Sequence, residues 1–303
     1  VSAEITLLVN PTAGRGRGAH AAQPAASALR AAGFSVRTVL GADAGDALAR
    51  LRTAVREGTG AVIAVGGDGV VSLALQALAG TLVPLGVVAV GTGNDFARAM
   101  GLPVGEPAQA GRLAAEALKE GRIREIDLGR VSRAGAGAED GTWYGTVLCS
   151  GFDSRVNDRG NRMRLPAGRF KYDLAMLAEL AAFRPFPYRI TLDDGPAIET
   201  EATLVAVGNG SSYGGGMRIC ADAVPDDGLF DVVVVGDCSR GTLLKVFPQV
   251  YKGRHLSHPK VTVHRAAKIT LEAAGITAYA DGEPLGPLPV SADCVPGALR
   301  LLS

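Results

Sequence analysis

Glycines gathered around carboxylates are the first chemical signal in this sequence. Residues 10–18 (NPTAGRGRG), 66–69 (GGDG) and 91–95 (GTGND) each follow a short apolar run and lead into a helical pattern. Glycine lets a backbone close on phosphate oxygens and turn with positive φ, and a helix N-terminus favours anions. Asn10, Thr12, Arg15, Arg17, Gly66, Gly67, Gly69, Gly91, Thr92 and Asn94 are therefore candidate anion contacts, with the two arginines supplying charge. One such loop is as often a plain turn as a site. Three of them, each with a polar or acidic residue such as Asp68 or Asp95, point to one anion site. Two further acid and glycine clusters, residues 225–229 (PDDGL) and 281–283 (DGE), read by themselves as turns between strands. Asp281 in the second is also a candidate general base, with Glu283 assisting.

The elements that must position these groups change character along the chain. Up to about residue 128, apolar β-branched runs at 5–9, 35–40, 61–65 and 84–90 alternate with alanine-rich helical stretches, the grammar of a parallel sheet covered on both faces. All three glycine loops then follow strand carboxyl ends, which share one edge of such a sheet. Residues 107–120 read as a further helix and 124–131 as the strand leaving this half. Beyond it, strand-like runs at 143–149, 188–192, 203–207, 229–235, 260–264 and 269–271 stand between Gly, Pro and Asp turns. One helix, near 169–183, interrupts them, its start flanked by basic residues at 164, 169 and 171. The expected fold is thus α/β plus all-β. A doubly wound parallel-sheet nucleotide domain spans 1–128 and an antiparallel β-sandwich spans 129–303, with room for the extreme C-terminus to pack back on the first domain.

Composition narrows the class. A formal charge of +1 over 303 residues argues against a strongly basic nucleic-acid binder, although Arg159, Arg162, Arg164, Arg169 and Lys171 form a local basic cluster. The four cysteines have no CxxC spacing, which removes the usual zinc and redox signatures and reads as buried thiols. No apolar run approaches the roughly 20 residues that span a bilayer, so membrane contact is expected to be peripheral. Val1 opens no signal peptide, and an upstream segment is left open. His255 and His258 read as solvated loop residues rather than a metal pair. Gly14, Gly16 and Ala19 fit a dinucleotide fingerprint with Asp43 as its ribose-binding acid, but that pattern leaves the glycine loops after the third and fourth strands unexplained. No GxxxxGK[ST] stretch occurs, which excludes a Walker-type NTPase at motif level.

Taken in order and spacing, these motifs resemble the diacylglycerol kinase catalytic family, which includes bacterial soluble lipid kinases and is related to the sphingosine kinases. The resemblance rests on Asn10–Pro11, the GGDG of 66–69, the GTGNDFAR of 91–98, the Gly208–Asn209–Gly210 segment running to Gly216, PDDGL at 225–229 and DGE at 281–283. NAD kinases and phosphofructokinases share a GGD-type loop but not the GTGNDFAR segment. Val70, Ser72 and Leu73 stand where many members carry Thr and an Asn-Glu pair, and arginines stand in the first loop where Lys is common. The resemblance implies an ATP-dependent, magnesium-using lipid kinase that acts in the cytoplasm at the membrane surface. Diacylglycerol is the default acceptor and phosphatidic acid the product. It implies Asp281 as base with Glu283. A catalytic magnesium would be held, through water, by Asp68, Asp95 and Asp127, and a structural magnesium by the Asp227 side chain with the Val224 and Leu229 carbonyls. No nucleic acid is expected as a partner, and a homodimer is left open. The rival readings are an NAD(P)-dependent oxidoreductase, a small-metabolite or NAD kinase, and a non-catalytic nucleotide or lipid sensor.

Overall fold

A computed structural model of the chain describes residues 4–133, 141–152 and 185–303, leaving out the side chain of Arg15. The expected helix near 169–183 and the basic cluster from Arg159 to Lys171 lie outside the described residues.

The first half is the expected parallel α/β layer. β1 (Glu4–Val9), β2 (Ser35–Val39), β3 (Ala61–Gly66) and β4 (Leu85–Ala89) lie in the order β4-β3-β1-β2, all parallel. Successive strand side chains point to opposite faces, so each strand feeds two cores. Ile5, Leu7, Ile63 and Val65 pack with Ala21, Ala25 and Leu29 of α1 (Ala13–Ala31) and with Ala114 of α5 (Pro107–Glu120). Leu8, Val62 and Ala64 instead meet Leu51 of α2 (Ala44–Arg56) and Leu75 and Leu78 of α3 (Asp68–Leu78). Val70, one of the departures from the family pattern, joins this second core. A short helix, α4 (Asp95–Ala99), follows the loop after β4.

The second half is antiparallel. β9 (Ile198–Gly208) pairs with β7 (Val147–Gly151), β8 (Phe186–Leu192) and β10 (Phe230–Gly236), and β10 with β11 (Val261–Ala266). Alternation again divides the burial, with Val205 and Val207 entering one core and Leu204 and Ala206 the other. The expected strand at 143–149 is in fact two, β6 (Thr142–Tyr144) and β7, because the chain turns at Gly145 and Thr146. An α6 helix (Arg240–Val250) follows β10 and precedes a short 3-10 turn. β12 (Lys268–Glu272) is as expected, but β13 (Thr277–Ala280), β14 (Glu283–Pro287) and β15 (Val290–Leu302) are strands that Ala, Gly and Pro conceal in the sequence.

β15 joins the halves. Near its start it pairs antiparallel with β12, and near its end Leu301 pairs parallel with Leu85 of β4. Along most of its length it also pairs with β5 (Ile123–Arg133), from Val290 opposite Arg133 to Leu302 opposite Ile123, with a register shift between Val295 and Leu299. Pro296 and Gly297 make that shift affordable, since a bulge releases the ladder where Pro lacks an N–H. The four cysteines are buried and free, as expected. His255 corrects its reading as a solvated residue. It is 1% exposed, with Nε2 at 2.9 Å from the Ile219 carbonyl, and burial pushes its imidazole below the usual range. The turn that carries it inward packs its one leucine, Leu256, against the core that includes Val250 and Val261.

Gly129 shows how closely β5 is covered. A β-carbon there would stand 2.1 Å from Cε1 of Tyr144, a ring that is fully buried and stacked on Phe230 at 5.9 Å. Gly129→Ala should therefore cost about 2–3 kcal/mol through overpacking, read as a lowered urea midpoint. An unchanged midpoint would show that the ring moves freely.

Candidate active site

The three glycine loops meet backbone to backbone. A β-carbon on Gly91 would lie 2.4 Å from the Gly67 Cα, and one on Gly14, at φ +59°, would lie 2.1 Å from the Val90 carbonyl oxygen. Side chains are excluded from these contacts, so the loops form a continuous polar main-chain surface. Asn94 adopts a left-handed conformation and closes the last loop on itself, its Oδ1 accepting from the Gly91 N–H at 2.8 Å and its Nδ2 donating to the Gly91 carbonyl at 3.1 Å. Asn10 Oδ1 accepts from both the N–H and the hydroxyl of Thr12 just before α1. Arg17 spans two loops, donating from Nε to the Gly14 carbonyl and from Nη2 to the Gly91 carbonyl. Gly66 and Gly67 lead into α3 beside them, Gly69 lies in its first turn, and Thr92 is exposed on the last loop. Asp43 lies away from this surface in role. It caps α2, accepting from the Asp46 N–H at 2.9 Å, which is what a short acid before a helix does.

Acids converge on the same edge. Asp68 accepts from the N–H groups of Asn94 at 2.7 Å and Phe96 at 3.2 Å, so it fixes the start of α4. Asp95 accepts from the Gly215 N–H at 2.8 Å and the Gly216 N–H at 2.7 Å, reaching into the second half. The two carboxylates meet over Gly93, whose absent β-carbon would be 2.7 Å from Asp68 Oδ2 and 3.2 Å from Asp95 Oδ2. Burial pushes the Asp95 carboxyl above its ordinary range, the two amides oppose that, and the charge of Asp68 adds to it.

The DGE hairpin faces these acids. Asp281 has a left-handed φ of 49°, a conformation in which Asp is enriched among non-glycine residues. Its Oδ2 accepts from the Gly145 N–H at 2.7 Å, while Oδ1 accepts from the Thr146 N–H at 2.9 Å, from the Thr146 hydroxyl and, at 3.3 Å, from the Val147 N–H. Burial raises its carboxyl, the Gly145 and Thr146 donors lower it, and the negative charge of Asp68 raises it further. Glu283 is exposed, with Oε1 3.9 Å from where a β-carbon would stand on Gly69. The glycine loops and the hairpin therefore open on one crevice.

Asp127 does not join Asp68 and Asp95. It lies within β5 rather than at a strand end and is 4% exposed. Its oxygens accept from the N–H groups of Gly228 at 2.7 Å and Gly297 at 2.8 Å, and its own N–H donates to the Pro225 carbonyl at 2.7 Å. This carboxylate pins the 225–229 turn and the β15 bulge to β5, which corrects its placement around a catalytic metal. The turn itself does not fit the expected structural magnesium. Asp227 Oδ1 accepts from the Leu229 N–H, Oδ2 is taken by Arg265 Nη2, and the same guanidinium is 3.3 Å from Asp231. Asp226 is paired with Arg124 at 2.8 Å. Val224 lies exposed beside them. Arginine already supplies the positive charge there. Among the described residues, no group of three or more His, Cys, Asp or Glu side chains could hold a metal directly.

Two residues not among the expected site residues position these groups. Thr146 supplies a hydroxyl and an N–H to Asp281. Asn209 Nδ2 donates to the Asp127 carbonyl at 2.8 Å and the Gly145 carbonyl at 3.0 Å, locking the turn that cradles Asp281. Asn209 lies in a segment that the family resemblance singles out, whereas nothing in the sequence distinguishes Thr146.

The chain matches two family models, the diacylglycerol kinase catalytic domain over residues 4–131 and the YegS C-terminal NAD kinase beta sandwich-like domain over residues 146–303. It is 46% identical over 299 residues to a protein named diacylglycerol kinase from Mycobacterium tuberculosis, covering 99% of this chain and 94% of the relative. It is 32% identical over 273 residues to "Probable lipid kinase YegS-like" from Stenotrophomonas maltophilia, covering 85% and 83%. A crystal structure of a Bacillus anthracis diacylglycerol kinase shares the fold with a TM-score of 0.72 at 24% identity, over 99% of this chain and 96% of that one. An Archaeoglobus fulgidus NAD kinase solved with ATP shares the fold more distantly, with a TM-score of 0.54 at 11% identity, over 99% and 92%.

Two outcomes test this geometry. Thr146→Val removes a donor that favours the ionised form of Asp281, so the Asp281 carboxyl rises and the acidic limb of the pH–activity profile should move to higher pH. An unmoved limb would detach Thr146 from that ionisation. At the 225–229 turn, a chelator should leave the thermal midpoint of the wild-type protein unchanged, whereas Arg265→Met should cost about 1–3 kcal/mol by stranding Asp227 and Asp231. A chelator-sensitive midpoint would return a cation to the turn.

Proposed function

Because the chain belongs to the diacylglycerol kinase catalytic family and is a lipid kinase, we propose that it transfers the γ-phosphoryl group of ATP to a lipid hydroxyl, converting diacylglycerol to phosphatidic acid at a membrane surface. The observation that carries this reading is the convergence of the glycine-loop surface and the Asp281 hairpin on one crevice.

In the proposed mechanism the donor phosphates lie against the N–H groups of the three loops and the N-terminus of α3, with the free N–H groups of Arg17 toward them. Asp281 Oδ2 accepts one hydrogen bond among the described residues, against three at Oδ1, so Oδ2 keeps a lone pair for the acceptor hydroxyl. The hydroxyl proton passes to Oδ2, the freed oxygen bonds the γ-phosphorus, and the bond from that phosphorus to the β-bridging oxygen breaks, releasing ADP. Glu283 orients Asp281 from the rim.

The donor set suits magnesium held through water. Asp68 and Asp95 are adjacent carboxylates whose described partners near the site are amides, and Asp68 raises the carboxyls of both Asp95 and Asp281. Magnesium, which keeps much of its water shell, would relieve that repulsion and neutralise charge on the transferred group. Among the described residues, no helix is long and apolar enough to cross a membrane, which suits an enzyme that meets its lipid from one side.

Incubation with labelled ATP, magnesium and a panel of mixed-micelle lipids should label diacylglycerol above the other lipids. Asp281→Asn should lower turnover by about 10²-fold or more, with Asp68→Ala similarly impaired. Near-normal turnover in either variant removes that residue from the mechanism, and labelling of a different lipid reassigns the acceptor.

A further inference from the structure

Beside the crevice lies a second polar feature that the transfer reaction does not use. A cavity of about 540 Å³ opens where the glycine-rich loop after β9 meets the segment following α4, and Arg98, Arg218, Ser211, Ser212 and Gly216 line its polar side. None of its described lining residues is acidic, and none comes from the first or second glycine loop. Arg98 spends one N–H on the Gly93 carbonyl at 3.2 Å, and Arg218 one on the Ala221 carbonyl at 2.9 Å. Neither guanidinium comes within salt-bridge distance of a carboxylate among the described residues, although the charge of Arg98 reaches Asp95. Two positive charges with donors to spare therefore face a space bounded by two hydroxyls, of which the buried Ser212 hydroxyl bonds only that of Ser211 among the described residues.

Arginine's planar fork matches phosphate oxygens, and two such forks balance a dianion. The volume falls in the range of small-molecule sites and exceeds what a bare phosphate fills. Leu102 and Val104 form an apolar edge against which carbon atoms could rest. We infer that this cavity binds a phosphate monoester, with its dianion between Arg98 and Arg218 and its organic body on the Leu102 and Val104 side. The site is tied to the acids of the crevice, because the Gly216 that lines it donates its N–H to Asp95. The inference stands apart from the lipid-kinase reading, since it concerns equilibrium binding without nucleotide or acceptor.

The ester could come from a free metabolite or from the headgroup of a phosphorylated lipid. Calorimetric titration of the full chain with glycerol phosphate tests the first source. Flotation with phosphatidylcholine vesicles, with and without phosphatidic acid, tests the second. In at least one arm, saturable binding is expected that falls about 10-fold or more in both Arg98→Gln and Arg218→Gln, only partly in Arg218→Lys, and not at all in Arg17→Gln. Both arginines are exposed, and thermal melts identify any variant that fails to fold. Absence of binding in both arms overturns the proposal. So does binding indifferent to Arg98 and Arg218, or binding lost in Arg17→Gln, which would place the phosphate on the glycine loops instead. Failure here leaves the labelling result for lipid acceptors untouched.

Discussion

Main-chain amides, rather than cations, hold Asp68, Asp95, Asp281 and Asp127 in place. Asp68 is bound by the start of α4, Asp95 by Gly215 and Gly216, Asp281 by the turn after β6, and Asp127 by Gly228 and Gly297. An amide donor replaces the water that a buried carboxylate loses, but it carries no net charge. The acids are thus fixed in position with little neutralisation, the charge of Arg98 only partly offsetting that of Asp95. That explains why Asp95 and Asp281 both sit above the ordinary carboxylate range although both oxygens of each accept hydrogen bonds. It also separates this site from the 225–229 turn, where Arg265 and Arg124 supply positive charge to the acids, although burial still holds the Asp231 carboxyl above its ordinary range.

What the sequence discloses depends on how local the cause is. The glycine loops are legible because a strand, a turn and a helix start are all written within a few consecutive residues. The parallel sheet is legible for the same reason, since β1, β3 and β4 are almost wholly buried and read as continuous apolar runs. Asp127 was open to misplacement because its partners Gly228 and Gly297 lie 101 and 170 residues away, and no short pattern reports such a bond. Thr146 is equally silent, being 135 residues from Asp281. Arg265 stands 38 residues beyond Asp227, on β11, so only the fold shows that it occupies the position where a metal was expected.

β13 to β15 illustrate the other limit. Their Ala, Gly and Pro residues have weak strand propensity, and pairing of β13 with β7, β14 with β13 and β15 with β5 makes them strands. His255 is similar, because a polar residue in a loop is expected outside until a buried carbonyl, here that of Ile219, offers it a partner.

β15 has a consequence for the order of assembly during synthesis. Domains generally fold as they emerge, N-terminal first. Here β4 acquires its outer neighbour, and β5 and β12 theirs, only when residues 290–302 have been made. A nascent chain that has exposed the whole of the first half still carries an open sheet edge at β4, so ribosome-bound intermediates must be kept from pairing with one another until the last strand threads both halves and closes them in a single step.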